Sequence, residues 1–199
     1  MQVNKKRWEK AQVWETAWHG AAINSFGEEE KQLLYANRMG LRQFHNGKSP
    51  YNFDLFNESI IDIGGGPSSL LLKGFNPGNK LGVADPMRMP EWVGLRYDAA
   101  GINHVKMAGE HLEASGYDEA WIYNVLQHTE DPEAVILNAR SAAKLIRIFE
   151  WIDTPTNVGH IHTLTEQNLN EWLGGYGKVE QLTGQAGCYG KCYYGIFPT

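Results

Sequence analysis

Three glycines and two acids carry the most suggestive chemistry of the chain. Ile61-Asp62-Ile63-Gly64-Gly65-Gly66 reads as a buried strand running into a glycine turn, and Val83-Ala84-Asp85-Pro86 as a second strand that ends in an acid. Glycines at such a turn let the backbone approach a ligand closely and expose N–H donors. An acid about 20 residues further on can accept from both hydroxyls of a ribose. Together they describe a pocket for an adenosine-bearing cofactor at the carboxyl ends of parallel strands. The bland alternative is a tight strand–helix turn beside a surface acid.

The spacing narrows the choice of cofactor. The dinucleotide fingerprint G-x-G-x-x-G needs a third glycine for helix–strand packing near a pyrophosphate. Ser69 or Leu70 stands there instead, which disfavours an NAD-type oxidoreductase. No G-x-x-x-x-G-K-[ST] loop is present, Lys73-Gly74 supplying none, so a nucleoside triphosphate is not expected. Asp62, two residues before the first glycine, suits a cationic ligand. S-adenosylmethionine carries an α-ammonium and a sulfonium. Asp62 is expected to meet the ammonium directly or through water, and the amides of Gly64, Gly65 and Gly66 to meet the carboxylate or the sugar.

Four stretches together resemble the class I S-adenosylmethionine-dependent methyltransferases, in the small-molecule group similar to quinone-biosynthesis enzymes. They are residues 61–69, residues 82–86, Met107-Ala108-Gly109-Glu110 and residues 118–128, the last ending Val125-Leu126-Gln127-His128. The resemblance covers about residues 55–199 and leaves the first 50 residues outside it. It implies an α/β fold: a Rossmann-like, seven-stranded, mostly parallel sheet with helices on both faces and a C-terminal β-hairpin. It also implies S-adenosyl-L-methionine as cofactor, held by Asp62, Gly64, Gly65, Gly66, Asp85, Pro86, Gly109, Glu110 and Asn124. Glu110 would accept from the adenine amino group, or else be a solvated charge.

Composition sets outer bounds. A chain of 199 residues with 42% hydrophobic content suits one domain with a sizeable core. The net charge of −5, with Lys5-Lys6-Arg7 the longest basic run, gives no strong nucleic-acid signal. The [DN]-P-P-[FY] motif of amino-methylating DNA enzymes and a Pro-Cys nucleophile are both missing. No apolar run approaches the roughly 20 residues of a membrane span, and Glu9, Lys10, Gln12 and Glu15 interrupt any secretory signal at the start. A cytoplasmic protein is expected, with Cys188 and Cys192 as thiols. Their C-x₃-C spacing is not by itself a zinc site, and no metal is expected.

The elements that must position these residues follow from periodicity and punctuation. Trp8, Ala11, Trp14, Ala17 and Trp18 mark an amphipathic helix over residues 4–22. Ser25 and Glu28 stand in capping-box spacing before a helix over 28–39, which Gly40 ends. Residues 45–58 read as a polar, aromatic loop. Strands are expected at 59–63, 80–84, 103–107, 120–125 and 145–152. Between them lie a short helix from Ser68, a helix over 90–99 that buries Trp92 and Leu95, and a helix opened by Asp131-Pro132. Thr163 and Glu166 suggest a further capping box before a helix that ends at Gly174-Gly175, and two strands around 178–182 and 192–197 form the terminal hairpin.

Methyl transfer is an in-line displacement, so the protein mainly has to align donor and nucleophile. A base is needed only when the nucleophile arrives protonated. His128, three residues beyond the fourth strand, is the leading catalytic candidate; it either accepts a proton or holds its loop. His160, after the fifth strand, is the second. His162 is a substrate-binding candidate, and the H-x-H pair is a poor metal site. Trp14, Trp18, His19 and Tyr35 are the other substrate-binding candidates, on the premise that residues 1–54 form a helical lid and residues 55–199 the cofactor-binding domain. The expected function is methyl transfer to a small-molecule or terminal acceptor. The alternatives are a non-catalytic S-adenosylmethionine-binding regulatory subunit and, further off, an NAD-type oxidoreductase. Nothing in the sequence names the acceptor or an oligomeric state.

Overall fold

The computed structural model describes residues 4–22, 26–43 and 52–199. The expected cap at Ser25 and the first half of the expected polar loop, residues 45–51, lie outside them. Two helices come first, α1 (Lys5–Ala22) and α2 (Phe26–Arg38). Nine strands follow: β1 (Phe53–Asp54), β2 (Ile60–Ile63), β3 (Gly74–Phe75), β4 (Leu81–Ala84), β5 (Ile102–Val105), β6 (Tyr117–Tyr123), β7 (Ala143–Ile152), β8 (Lys178–Thr183) and β9 (Tyr189–Pro198). Three more helices lie among them, α3 (Glu91–Ala99), α4 (Pro132–Ala142) and α5 (Glu166–Leu173).

Seven strands form one sheet in the order β5-β4-β2-β6-β7-β9-β8. β5, β4, β2, β6 and β7 pair in parallel. β9 runs antiparallel between β7 and β8, which makes the terminal hairpin part of the sheet. The chain moves outward from β2 through β4 to β5, then returns to β6 on the other side of β2. That reversal opens a crevice at the carboxyl ends of β2 and β6, where open α/β sheets bind ligands.

All four residues of β2 are buried, Asp62 among three isoleucines. Ile61 and Ile63 join Ala120, Ile122, Ile146 and Ile148 in one core with Val135 and Ile136 of α4 and Leu169 and Leu173 of α5. Ile60 joins Val83, Trp121, Tyr123 and Phe149 in another, with Leu34, Tyr35 and Met39 of α2 and Val93 and Tyr97 of α3. The alternation is the period of two that a strand imposes. Residues of α2 therefore share a core with the sheet. Among the described residues no helix is long and apolar enough to cross a membrane.

Local expectations shift in three places. The helix expected from Ser68 is a single 3₁₀ turn, Leu70–Lys73; Gly74 then adopts an extended conformation and β3 pairs in parallel with β1. In α3 it is Val93 and Tyr97 that are buried, while Trp92 and Leu95 are 44% and 61% exposed. The helix is turned so that the Tyr97 hydroxyl donates to the Gly66 carbonyl and accepts from the Ser69 amide. The cap of α5 is Thr165, whose hydroxyl accepts from the Asn168 amide, whereas the Thr163 hydroxyl donates to the Thr154 carbonyl. The other punctuation works as the residue types dictate: Asp131 caps α4 with Pro132 behind it, and Gly174 closes α5 at φ 68°.

Arg147, one of two charged residues in the middle of β7, ties the layers together. Its Nε and Nη2 each donate at 2.7 Å to the Glu119 carboxylate on β6, and its Nη1 donates at 3.0 Å to the Met39 carbonyl beyond α2. Glu119 also accepts from the Trp121 indole. Arg147→Ala leaves the half-buried Glu119 without its cation and is expected to cost about 2–4 kcal/mol, read as a lowered midpoint in urea. Glu119→Gln should cost less, because the neutral amide still accepts from the guanidinium.

Candidate functional site

A cavity of about 630 Å³ lies over the carboxyl ends of β2, β4 and β6. Gly64, Gly65, Asp85, Pro86, Gly109, Glu110, Asn124, His128 and His160 line it from the sheet side. Trp14, Trp18, His19 and Tyr35 line it from the helices. Asp62, Gly66 and His162 are not among its walls. Each is placed differently from what its position in the sequence suggests.

Asp62 is fully buried beneath the glycine turn. Its Oδ2 accepts from the Ser69 and Tyr123 hydroxyls, at 2.5 Å each, and a side chain on Gly65 would lie only 2.6 Å from that oxygen. The acid therefore braces the turn from below. Burial pushes its pKa up to about 7 against the pull of the two hydroxyls, and the charge of Asp85 adds to the rise. Its Oδ1 is buried with no protein partner. Such an atom is costly unless a donor or cation arrives.

The glycine turn is tight because of the neighbouring strand. Gly64, at φ 76°, would place a Cβ 1.8 Å from Val125 Cγ2. The crowding that requires glycine there is thus with the loop after β6, not with ligand space. Gly66, at φ 57°, would direct a Cβ to within 3.4 Å of the His19 ring on α1. Its amide donates to Asp85 Oδ2 at 3.0 Å, while the Met87 amide donates to Oδ1 at 2.8 Å. Asp85 is thereby fixed at the cavity wall with lone pairs to spare on both oxygens. Burial raises its pKa, and the two amides pull it back. On the next wall Glu110 Oε1 accepts from the amides of Glu130 and Asp131, and Asn138 donates to the carbonyls of Gly109 and Glu110. Asn124 holds a left-handed φ of 56° and accepts from the Gln127 amide nitrogen.

The turn that carries His128 is anchored from within the sheet. Glu150 of β7, fully buried, accepts from the Val125 and Leu126 amides at 2.9 and 3.0 Å. Burial raises its pKa to about 7 although both amides and His128 favour the charged form. His128 Nδ1 lies 3.0 Å from the Gly159 carbonyl and 3.0 Å from Glu15 Oε1. The His160 ring stands edge-on to it with centroids 4.9 Å apart. Burial, then the neighbouring His128, lowers the His160 pKa. His162 turns away: it is buried and its Nε2 bonds to the Thr129 carbonyl at 2.9 Å. The H-x-H spacing thus puts two imidazoles in two environments, and among the described residues no set of three metal-ligating side chains gathers.

α1 turns inward only part of the stripe that its tryptophans mark. Ala11 is buried and Trp8, Gln12, Glu15 and His19 are half-buried, while Trp14 and Trp18 line the cavity mouth 56% and 51% exposed. Glu15 is a cavity residue that the sequence does not single out. Its only signal was a carboxylate set four residues before His19, on the helix stripe that also holds Trp8 and Gln12. Burial raises its pKa, but the hydrogen bond to His128 and the charges of His128, His19 and His160 outweigh that, leaving it lowered. Burial lowers the His19 pKa, opposed by Glu15, Asp85 and Glu28. Trp151, whose indole donates to the Tyr35 hydroxyl at 3.2 Å, and Tyr189 complete an aromatic wall that also went unrecognised.

Two measurements check this geometry. Gly64→Ala combines a left-handed backbone with a collision against Val125 and is expected to cost about 2–4 kcal/mol in denaturant unfolding. Gly66→Ala meets only the edge of a side chain and should cost about 1–2 kcal/mol. Glu150→Gln tests the buried carboxylate. A folded pKa above the unfolded one gives stability that is present below about pH 4.5 and lost as pH rises to about 7. The variant lacks that loss, so relative to the parent it should gain up to roughly 3 kcal/mol between those limits and no more above them.

No protein-family model and no curated protein matches the chain. Solved structures do. The 1,6-didemethyltoxoflavin-N1-methyltransferase of Burkholderia thailandensis, with its acceptor and S-adenosylhomocysteine bound, superposes with a TM-score of 0.65 at 12% identity over 100% of this chain and 91% of its own. The N-methyltransferase NodS of Bradyrhizobium japonicum WM9, in complex with S-adenosyl-L-homocysteine, gives 0.61 at 13% identity over 98% and 97%. Magnesium protoporphyrin IX methyltransferase (ChlM) of Synechocystis PCC 6803, with S-adenosylmethionine bound, gives 0.55 at 15% identity over 98% and 90%. These superpositions span nearly the whole chain, and the chain has the fold of the class I S-adenosylmethionine-dependent methyltransferases.

Proposed function

We propose that this protein binds S-adenosyl-L-methionine and transfers a methyl group to a small-molecule acceptor. The observation that carries the reading is Asp85, locked by the Gly66 and Met87 amides on the wall of a cavity that also holds His128. The residues fit the cofactor. Asp85 has free lone pairs for the ribose hydroxyls, and Gly64 and Gly65 leave open backbone beside it. Asp62 Oδ1, buried and unpaired beneath the turn, suits a nearby cationic group. Gly109, Glu110 and Asn124 complete the wall, with Glu110 Oε2 as the acceptor for an adenine amino group. The neighbours that carry S-adenosylmethionine or S-adenosylhomocysteine support this assignment.

When bound, the cofactor supplies a methyl carbon activated by a sulfonium. The chain then orients the acceptor, excludes water and receives a proton where the acceptor carries one. His128 is the proton acceptor, and His160 packs against it. Trp14, Trp18, Tyr35 and Trp151 suit an acceptor with a flat apolar body. His19, first read as a substrate contact, stands over Gly66 and belongs to the cofactor side. His162 buttresses the loop of His128 from behind. In this reading residues 1–54 close the site and bind the acceptor, residues 55–199 hold the cofactor, and the protein works in the cytoplasm.

Calorimetry with S-adenosylmethionine, S-adenosylhomocysteine and NAD tests the assignment. The first two should bind and NAD should not; NAD binding alone would end the reading. Asp85→Ala removes two charge-assisted bonds of about 1.5–3 kcal/mol each at most, so affinity for S-adenosylhomocysteine should fall at least tenfold with the fold intact. Unchanged affinity would place the ribose elsewhere. Cofactor binding without turnover on any acceptor in a labelled-methyl screen of cell extracts would instead favour a regulatory subunit.

A further inference from the structure

A helix that only packs buries its apolar side. α1 instead turns Gln12, Glu15 and His19 toward the sheet and leaves Val13, Trp14 and Trp18 largely exposed. The polar stripe meets the core at two points. His19 stands over Gly66, and one turn earlier Glu15 meets His128, whose turn Glu150 anchors. Gly159 packs against the same carboxylate, a Cβ there falling 3.3 Å from Glu15 Oε1.

We propose that Glu15 is the positioning residue that makes His128 Nε2 the proton acceptor of this site. The proposal rests on the methyltransferase reading above. His128 Nδ1 faces two groups that can only accept, the Glu15 carboxylate and the Gly159 carbonyl, both at 3.0 Å. A ring nitrogen between two acceptors carries the proton. In the neutral ring Nε2 is then bare. Nε2 has no protein hydrogen bond among the described residues, and His128 lines the cavity. The carboxylate behind Nδ1 fixes the ring and stabilises the imidazolium that forms on proton uptake, the division of labour of a carboxylate–histidine pair. Burial and the neighbouring His128 lower the His160 pKa, which disfavours a second cation beside that imidazolium.

The step balances without another reagent. The acceptor's O–H or N–H proton passes to His128 Nε2. The lone pair left on oxygen or nitrogen forms the bond to the methyl carbon, and the pair of the broken carbon–sulfur bond stays on sulfur. The imidazolium returns its proton to water. Because Glu15 sits on α1 while His128 and Gly159 sit on loops of the sheet, the pair exists only when α1 is docked.

The test needs no acceptor. Protein with isotope-labelled histidine, with and without S-adenosylhomocysteine, is examined by NMR in mildly alkaline buffer, where the tautomer of each neutral ring is read from its nitrogen shifts. His128 is expected as the Nδ1–H tautomer. Glu15→Ala, which keeps the helix because alanine is the best helix former, should make Nε2–H, the form that free imidazole side chains prefer, the major species. Glu15→Gln, which still presents an acceptor oxygen, should restore Nδ1–H. An Nε2–H tautomer in the parent protein overturns the proposal. So does an unchanged His128 in Glu15→Ala, since the Gly159 carbonyl alone would then fix the ring. Calorimetry separates this from the cofactor assignment: Glu15→Ala should bind S-adenosylhomocysteine within a few-fold of the parent, and absence of binding in the parent sinks the methyltransferase reading while the tautomer result stands by itself.

Discussion

The contact between Gly64 and Val125 governs the rest of the site. The turn after β2 and the turn after β6 approach so closely that only a hydrogen fits between them, a Cβ on Gly64 overlapping the Val125 side chain at 1.8 Å. Several walls of the cavity hang from these two turns. Asp62 sits beneath the first, Gly66 leads from it to Asp85, and His128 ends the second. Because β2 and β6 are neighbours where the strand order reverses, their turns are pressed together at the mouth of the crevice. A looser fit there would let the Asp85 wall and His128 move relative to one another.

Three buried carboxylates maintain this arrangement, each through donors it did not have to import from solvent. Asp62 takes hydroxyls from Ser69 and Tyr123, Asp85 takes amides from Gly66 and Met87, and Glu150 takes amides from Val125 and Leu126. Burial raises all three pKa values, so desolvation exceeds what these donors return. Buried acids of this kind are poor sources of stability. Their value is geometric, since each fixes backbone groups whose positions the cavity depends on. Among the described residues Asp62 and Glu150 also each retain one oxygen with no hydrogen-bond partner, so the framework is polarised without being fully satisfied.

α1 completes the site from outside that framework. Its contact stripe sets Gln12, Glu15 and His19 beside Ala11 and Trp8, so apolar burial offsets only part of the cost of docking it. What holds it are directed contacts, Glu15 with His128 and His19 over the glycine turn. Such a segment can leave and return more readily than α2, whose Leu34, Tyr35 and Met39 are set into the core against Phe149 and Trp121. The glycine turn and the His128 turn therefore share a cover that belongs to neither.

Much of this was legible in the order of residues. Glycine and acid at strand ends, Pro-primed and Asp-capped helices, and alternating apolar runs are local consequences of backbone geometry, so the sheet elements, the Asp85 wall and the position of His128 could be read directly. The phase of a helix is another matter. Trp92 and Leu95 look like a buried stripe in α3, yet which face turns inward is settled by what lies opposite, the Gly66 carbonyl and Ser69 amide for Tyr97. Glu15 meets His128 across more than a hundred residues of sequence, so neither spacing nor periodicity could announce the pair. The same holds for Asp62, read as a ligand contact and found beneath the turn, and for His162, read beside His160 and found facing Thr129. The sequence by itself determined which groups lie at the strand ends, because strand and turn propensities act over a few residues. Only the tertiary structure decided which of them face the cavity, because that depends on the partner each side chain meets from a distant part of the chain.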